Sequence, residues 1–145
     1  MTPIAEVVAP RLLPVATIVA FALMVKGYGD VGEGFGAGVI VALAIALRYV
    51  VLGPKQADKS MPLIHRAPLL AAAGLIIALG CGFAGLLVGD PPFTHYPGPG
   101  QPVIRIGTLE LTTAVGFDVG LFLLVTGAVA TLVRQLSLLG TEQDP

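Results

Sequence analysis

The 145-residue chain is poor in charge: Asp, Glu, Lys and Arg make up 12% of it, about half the roughly 25% of a soluble globular domain. Eight basic and nine acidic side chains are too few to cover the outside of a soluble core. The same scarcity excludes a solvated, disordered tail, which needs high charge and low hydrophobicity. A net charge of -1 gives no electrostatic handle for a nucleic acid, so no such partner is expected. Tryptophan is absent and aromatics are 6% of the chain, which argues against an aromatic-lined substrate pocket and thus against a self-sufficient small exporter. Cysteine occurs once, as Cys81 in an apolar stretch; it excludes an intramolecular disulfide and reads as a small packing residue. His65 and His95 fall in separate connections, and no ligand cluster, nucleophile motif or catalytic carboxylate pair is present at a recognisable spacing. No enzyme activity, resident cofactor or metal is therefore expected. Met1 to Glu6 carries no basic run, so a cleaved signal peptide is not expected either.

What the chain has instead is apolar length. Hydrophobic residues account for 55%, with nineteen glycines besides, and a bilayer crossing needs about 20 predominantly apolar residues. Four stretches qualify, as helices over about 11–27, 34–52, 67–89 and 110–134; the first run is short, so either its flanking side chains reach to the interface or the helix begins nearer Ile4. The expected fold is an all-α integral membrane protein of four transmembrane helices in one domain, residues 1–145. Pro14 is expected near the start of the first helix. A glycine-rich turn, a basic loop from Gly53 to Arg66 and a proline-rich loop over 90–108 join the helices, because repeated prolines and glycines cannot continue one. Four crossings place Arg11, Arg48, Lys55, Lys59, Arg66 and Arg134 at one side and Lys26 and Arg105 at the other. The positive-inside bias then predicts cytoplasmic termini in a prokaryotic inner membrane.

Asp118 is the most informative residue. An acid inside a membrane helix costs several kcal/mol unless paired, protonated or hydrated, and Asp118 falls roughly 6 Å from the midpoint of the expected fourth helix. Two readings stay open for it: a group on an ion pathway, or a polar bond between helices. At 100° per residue Gly116, Gly120 and Gly127 lie within about 40° of one another, a stripe suited to close helix packing. Asp118 projects from the opposite face, with Val115, Phe122 and Val125. Both faces need cover, and the expectation is that other protein chains supply it on the Asp118 side.

Gly27, Gly29 and Gly32 formally satisfy a dinucleotide fingerprint, but that motif must follow a buried strand, and here a membrane helix precedes it. Gly34 and Gly38 give a small-residue surface at the start of the second helix. Asp30 and Glu33 sit where its dipole favours negative charge, either as solvated acids or as an ion-collecting mouth. Lys26 can pair with either acid. Arg48 reads as an anchor reaching to the interface, and Glu110 as a first-turn acid of the fourth helix.

Two elements resemble a known family, the MnhB domain, which is the B subunit (MrpB) of the multisubunit Mrp-type cation/proton antiporters. One is the run Gly32-Glu33-Gly34-Phe35-Gly36-Ala37-Gly38; the other is Gly116-Phe117-Asp118-Val119-Gly120 followed by apolar residues to Gly127. Thr94-His95 is similar too, and the resemblance spans Leu12 to Arg134. The chain departs from the family pattern at Tyr28, Gly29 and Val31, where His, Asn and Pro are usual, and at Glu33, which replaces a glycine. The resemblance implies a membrane protein that packs with other membrane subunits within the lipid bilayer and helps form a path for sodium ions and protons, with Asp118, Asp30, Glu33 and Lys26 as candidates. The alternative is a scaffold, without an ion path of its own, in a membrane-bound hydrogenase or a complex-I-like assembly.

Overall fold

A computed structural model describes residues 3–26, 33–106 and 109–142. Helix α1 is Pro3–Lys26, α2 Glu33–Ser60, α3 Ala67–Phe83 and α4 Thr113–Glu142. With the turns that extend α3, these give four helices long and apolar enough to cross a membrane. A 3-10 turn, Pro62–Arg66, leads into α3, and a second, Ala84–Val88, continues it; strands β1 (Ile104–Ile106) and β2 (Leu109–Leu111) precede α4. The helices form a row in which α3 packs on α4, α4 on α2 and α2 on α1. Large side chains such as Ile18, Leu43, Ile76 and Leu136 face outward, the arrangement expected where hydrocarbon replaces water around the fold.

Small residues set the row's spacing. A Cβ added to Gly120 would lie 2.6 Å from the backbone nitrogen of Ala78, and one added to Gly127 would lie 2.5 Å from that of Ala71. Cys81 lies against Gly116, its sulfur 2.7 Å from where a Cβ would stand. The glycine stripe of α4 therefore faces α3. Its opposite face meets α2: a Cβ on Gly34 would lie 2.7 Å from the carbonyl carbon of Asp118, and one on Gly38 would lie 3.0 Å from Val125 Cβ. The Thr126 hydroxyl donates across the same seam to the Gly38 carbonyl at 3.4 Å. The cover expected from another chain on the Asp118 side is thus supplied largely by α2 of this one, because Gly34 and Gly38 let two backbones meet there.

Several boundaries differ from the sequence expectation. Helix α1 starts at Pro3, close to the Ile4 alternative rather than residue 11, and contains Pro10 and Pro14 in its interior. Proline survives inside a membrane helix when another group satisfies the carbonyl it frees, and Arg48 does so here. Glycine at 53, with φ 74 and ψ 163, breaks α2, and Pro54 restarts it at the position where a missing N–H costs nothing. The expected basic loop from Gly53 to Arg66 is therefore helical. Ala57, Met61, Ile64 and Ala67 are spaced to share one face and join the buried cluster with Ile45 and Ala130. The third crossing tightens after Phe83 and ends at Gly89, whose φ of 86 suits glycine.

The expected loop over 90–108 stays irregular as far as Val103 and only then enters a short hairpin. Strands β1 and β2 pair antiparallel, with Arg105 opposite Glu110, so Glu110 lies in a strand and not in the first turn of the fourth helix. Alternation of apolar and charged residues in Ile104-Arg105-Ile106 and Leu109-Glu110-Leu111 has the period of a strand. Helix α4 starts instead at Thr113, after Thr112, whose hydroxyl accepts from the Val115 N–H at 3.4 Å.

Candidate functional site

Asp118 is the sixth residue of α4, which puts it about 7.5 Å inside the helix's first residue. Because α4 runs on to Glu142, Asp118 is about 14 Å from the helix midpoint rather than 6. Its backbone abuts Gly34 in the first turn of α2, and its Oδ1 is shut off from solvent. The start of α2, whose dipole favours negative charge, is therefore brought to the same level as the carboxyl. Glu33, the first residue of α2, is half-buried beside this contact, and Lys26 ends α1 exposed at the same end of the row. Lys26 forms no ion pair with Glu33 among the described residues. Asp30 lies outside the described residues.

The loop after Gly89 folds over this end. Phe93 adopts φ 63, a strained value for a bulky residue, and its N–H donates to the Gly82 carbonyl at 2.6 Å. Its ring lies over Gly82, 5.8 Å from Phe83 and 5.9 Å from Phe117, edge-on to the latter. His95 stands 6.3 Å from Phe117, with Nδ1 3.3 Å from Thr113 Oγ1. Thr113 also holds the loop through both backbone groups of Tyr96, at 2.8 Å each. Tyr96 donates to Asp90, and that bond, with some burial, raises its phenol above the ordinary 10.0. An aromatic lid thus sits over Phe117, the immediate neighbour of Asp118.

Two polar arrangements at the other end were missed. Pro14 has no N–H to give the Pro10 carbonyl one turn earlier; the Arg48 guanidinium donates to it instead through Nη2, and through Nη1 to Ser60 Oγ at 3.5 Å. Arg48 is therefore buried, 9% exposed, rather than extended to the interface. The second is Asp58, which accepts from the Tyr49 hydroxyl and from Arg134, whose Nε and Nη2 lie 3.0 Å from Oδ2. This fork binds the end of α2 to α4 across 76 residues of sequence. Both had a signal in the sequence: prolines four apart in one helix, and opposite charges at the same end of two helices. Among the described residues no group of His, Cys, Asp and Glu could hold a metal ion.

The sequence profile of a family described as a domain related to the MnhB subunit of Na+/H+ antiporter matches residues 4–131. The chain belongs to the MnhB family. The protein of Alkalihalophilus pseudofirmus named as the B component of a Na(+)/H(+) antiporter is 36% identical over 136 residues, covering 91% of this chain and 92% of that one. Its namesake from Bacillus subtilis is 32% identical over 117 residues, covering 81% and 80%. A probable K(+)/H(+) antiporter component from Rhizobium meliloti, named A/B, matches 92% of this MnhB-family chain at 29% identity, although the match takes up only 13% of that longer protein.

Proposed function

We propose that the chain is one of the membrane subunits of a multisubunit sodium/proton antiporter in a prokaryotic cytoplasmic membrane, with the α2–α3 connection and both termini on the cytoplasmic side. In this reading Asp118 exchanges a proton for a cation or a water chain, and Glu33 and Asp30 gather cations at the extracytoplasmic mouth beside Lys26. The observation that carries it is the position of Asp118: a carboxyl whose Oδ1 is buried, inside a helix apolar enough to span the bilayer. Ionisable side chains within membrane-spanning helices mark ion pathways and proton relays. Family membership and relatives named as antiporter subunits support the assembly. Other membrane subunits are then its partners, and sodium ions and protons are cargo rather than cofactors.

Asp118→Asn, expressed with the other subunits, tests the reading in everted vesicles by sodium-driven proton movement, with assembly followed on native gels. The expected result is an assembled complex with antiport abolished or uncoupled. Unchanged antiport removes Asp118 from the path. Loss of the assembled complex supports the second reading, a scaffold, which the close contact between Gly34 and the Asp118 backbone favours.

A further inference from the structure

Between α1, α2, α4, the turn over 62–66 and the start of α3 lies a cavity of about 360 Å³, within the range of small-ligand sites. Leu13, Ile45, Met61 and Leu70 form its apolar walls, and Thr126 and Arg66 contribute the polar groups. Thr126 is not free for a ligand, since its hydroxyl is committed to Gly38. Arg66 is exposed at the rim and meets no carboxylate among the described residues. Asp58 at this end is held by Tyr49 and Arg134. Leu63, also on the lining, is 71% exposed, so the cavity opens outward at the level where the third crossing begins. An apolar slot opening sideways into hydrocarbon, with an uncommitted guanidinium at the interface, is complementary to a lipid with a negative headgroup.

We infer that this cavity holds an acyl chain of an anionic phospholipid whose phosphate is met by Arg66. The inference rests on the membrane-spanning fold and is independent of any ion path through Asp118. It is tested by placing the photoreactive residue benzoylphenylalanine at position 63 in the full chain, assembled with its partner subunits. The complex is reconstituted in vesicles of equal parts phosphatidylglycerol and phosphatidylethanolamine and irradiated, and the denatured chain is weighed by mass spectrometry. Phosphatidylglycerol adducts are expected to exceed phosphatidylethanolamine adducts about five-fold, the effect of one basic residue near an anionic surface. With Arg66→Gln the two become equal, and with Leu70→Trp, which fills the slot, both fall while the complex stays assembled. A wild-type adduct ratio of one, a ratio unmoved by Arg66→Gln, absence of any lipid adduct, or crosslinking to a neighbouring protein instead would overturn the inference.

Discussion

Gly34→Ala tests whether the α2–α4 seam is set by backbone contact. The added methyl would run into the Asp118 carbonyl oxygen and stand 2.7 Å from the carbonyl carbon, about 0.8 Å inside the roughly 3.5 Å at which carbon atoms pack. The obstacle is backbone on both sides, so relief requires the helices to part, loosening the Gly38–Val125 contact one turn further along. Overpacking of this kind costs about 1–3 kcal/mol. Up to about 1 kcal/mol returns because alanine favours the helix more than glycine does, leaving a net loss of up to about 2 kcal/mol. Gly36 is the internal control: it lies two residues on in the same helix, and nothing stands within 4 Å of its added Cβ. Thermal unfolding of the full-length chain in mild detergent should therefore show Gly34→Ala melting below wild type and Gly36→Ala at or above it. Equal behaviour of the two variants would mean that backbone contact does not set the seam.

The two arrangements at the other end predict couplings between residues. Asp58→Ala leaves Arg134 and the Tyr49 hydroxyl without their acceptor and should destabilise the chain by about 1–3 kcal/mol; adding Arg134→Leu should recover part of that loss in a double-mutant cycle. Arg48→Leu should cost a similar amount, about 1–3 kcal/mol, because it strands the Pro10 carbonyl. That cost should shrink in a Pro14→Ala background, where residue 14 regains an N–H for the same carbonyl; additive losses would contradict the proposed role of Arg48.

Much of this architecture was legible because membrane helices announce themselves by length and composition. The stripe of Gly116, Gly120 and Gly127 could be read by periodicity alone, as could the small-residue start of α2. What periodicity does not contain is the identity of the facing helix. Spacing assigns Gly34 and Gly38 to packing but not to α4, so from sequence alone the cover over the Asp118 face reads as another chain's. Ala57, Met61, Ile64 and Ala67 have the spacing of a helical face, but Lys59 and Arg66 among them and Gly53-Pro54 ahead of them read as a loop. The hairpin was hidden by its brevity: three residues of alternation are weak beside a run of prolines and glycines. Arg48 was misplaced for a different reason. Its burial depends on a carbonyl freed by Pro14 in another helix, a consequence of proline chemistry that hydropathy does not register.

Exchange of a proton for a cation at Asp118 can be measured at the residue itself by carboxyl labelling. N,N′-dicyclohexylcarbodiimide reacts with protonated carboxyls in apolar surroundings. Labelling of the assembled complex at fixed pH, followed by peptide mass analysis, should give an adduct on Asp118 that declines as sodium is added and persists when an impermeant organic cation replaces it. An Asp118 that stays unlabelled, or is labelled to the same extent at every sodium concentration, would show that the proposed exchange does not take place there.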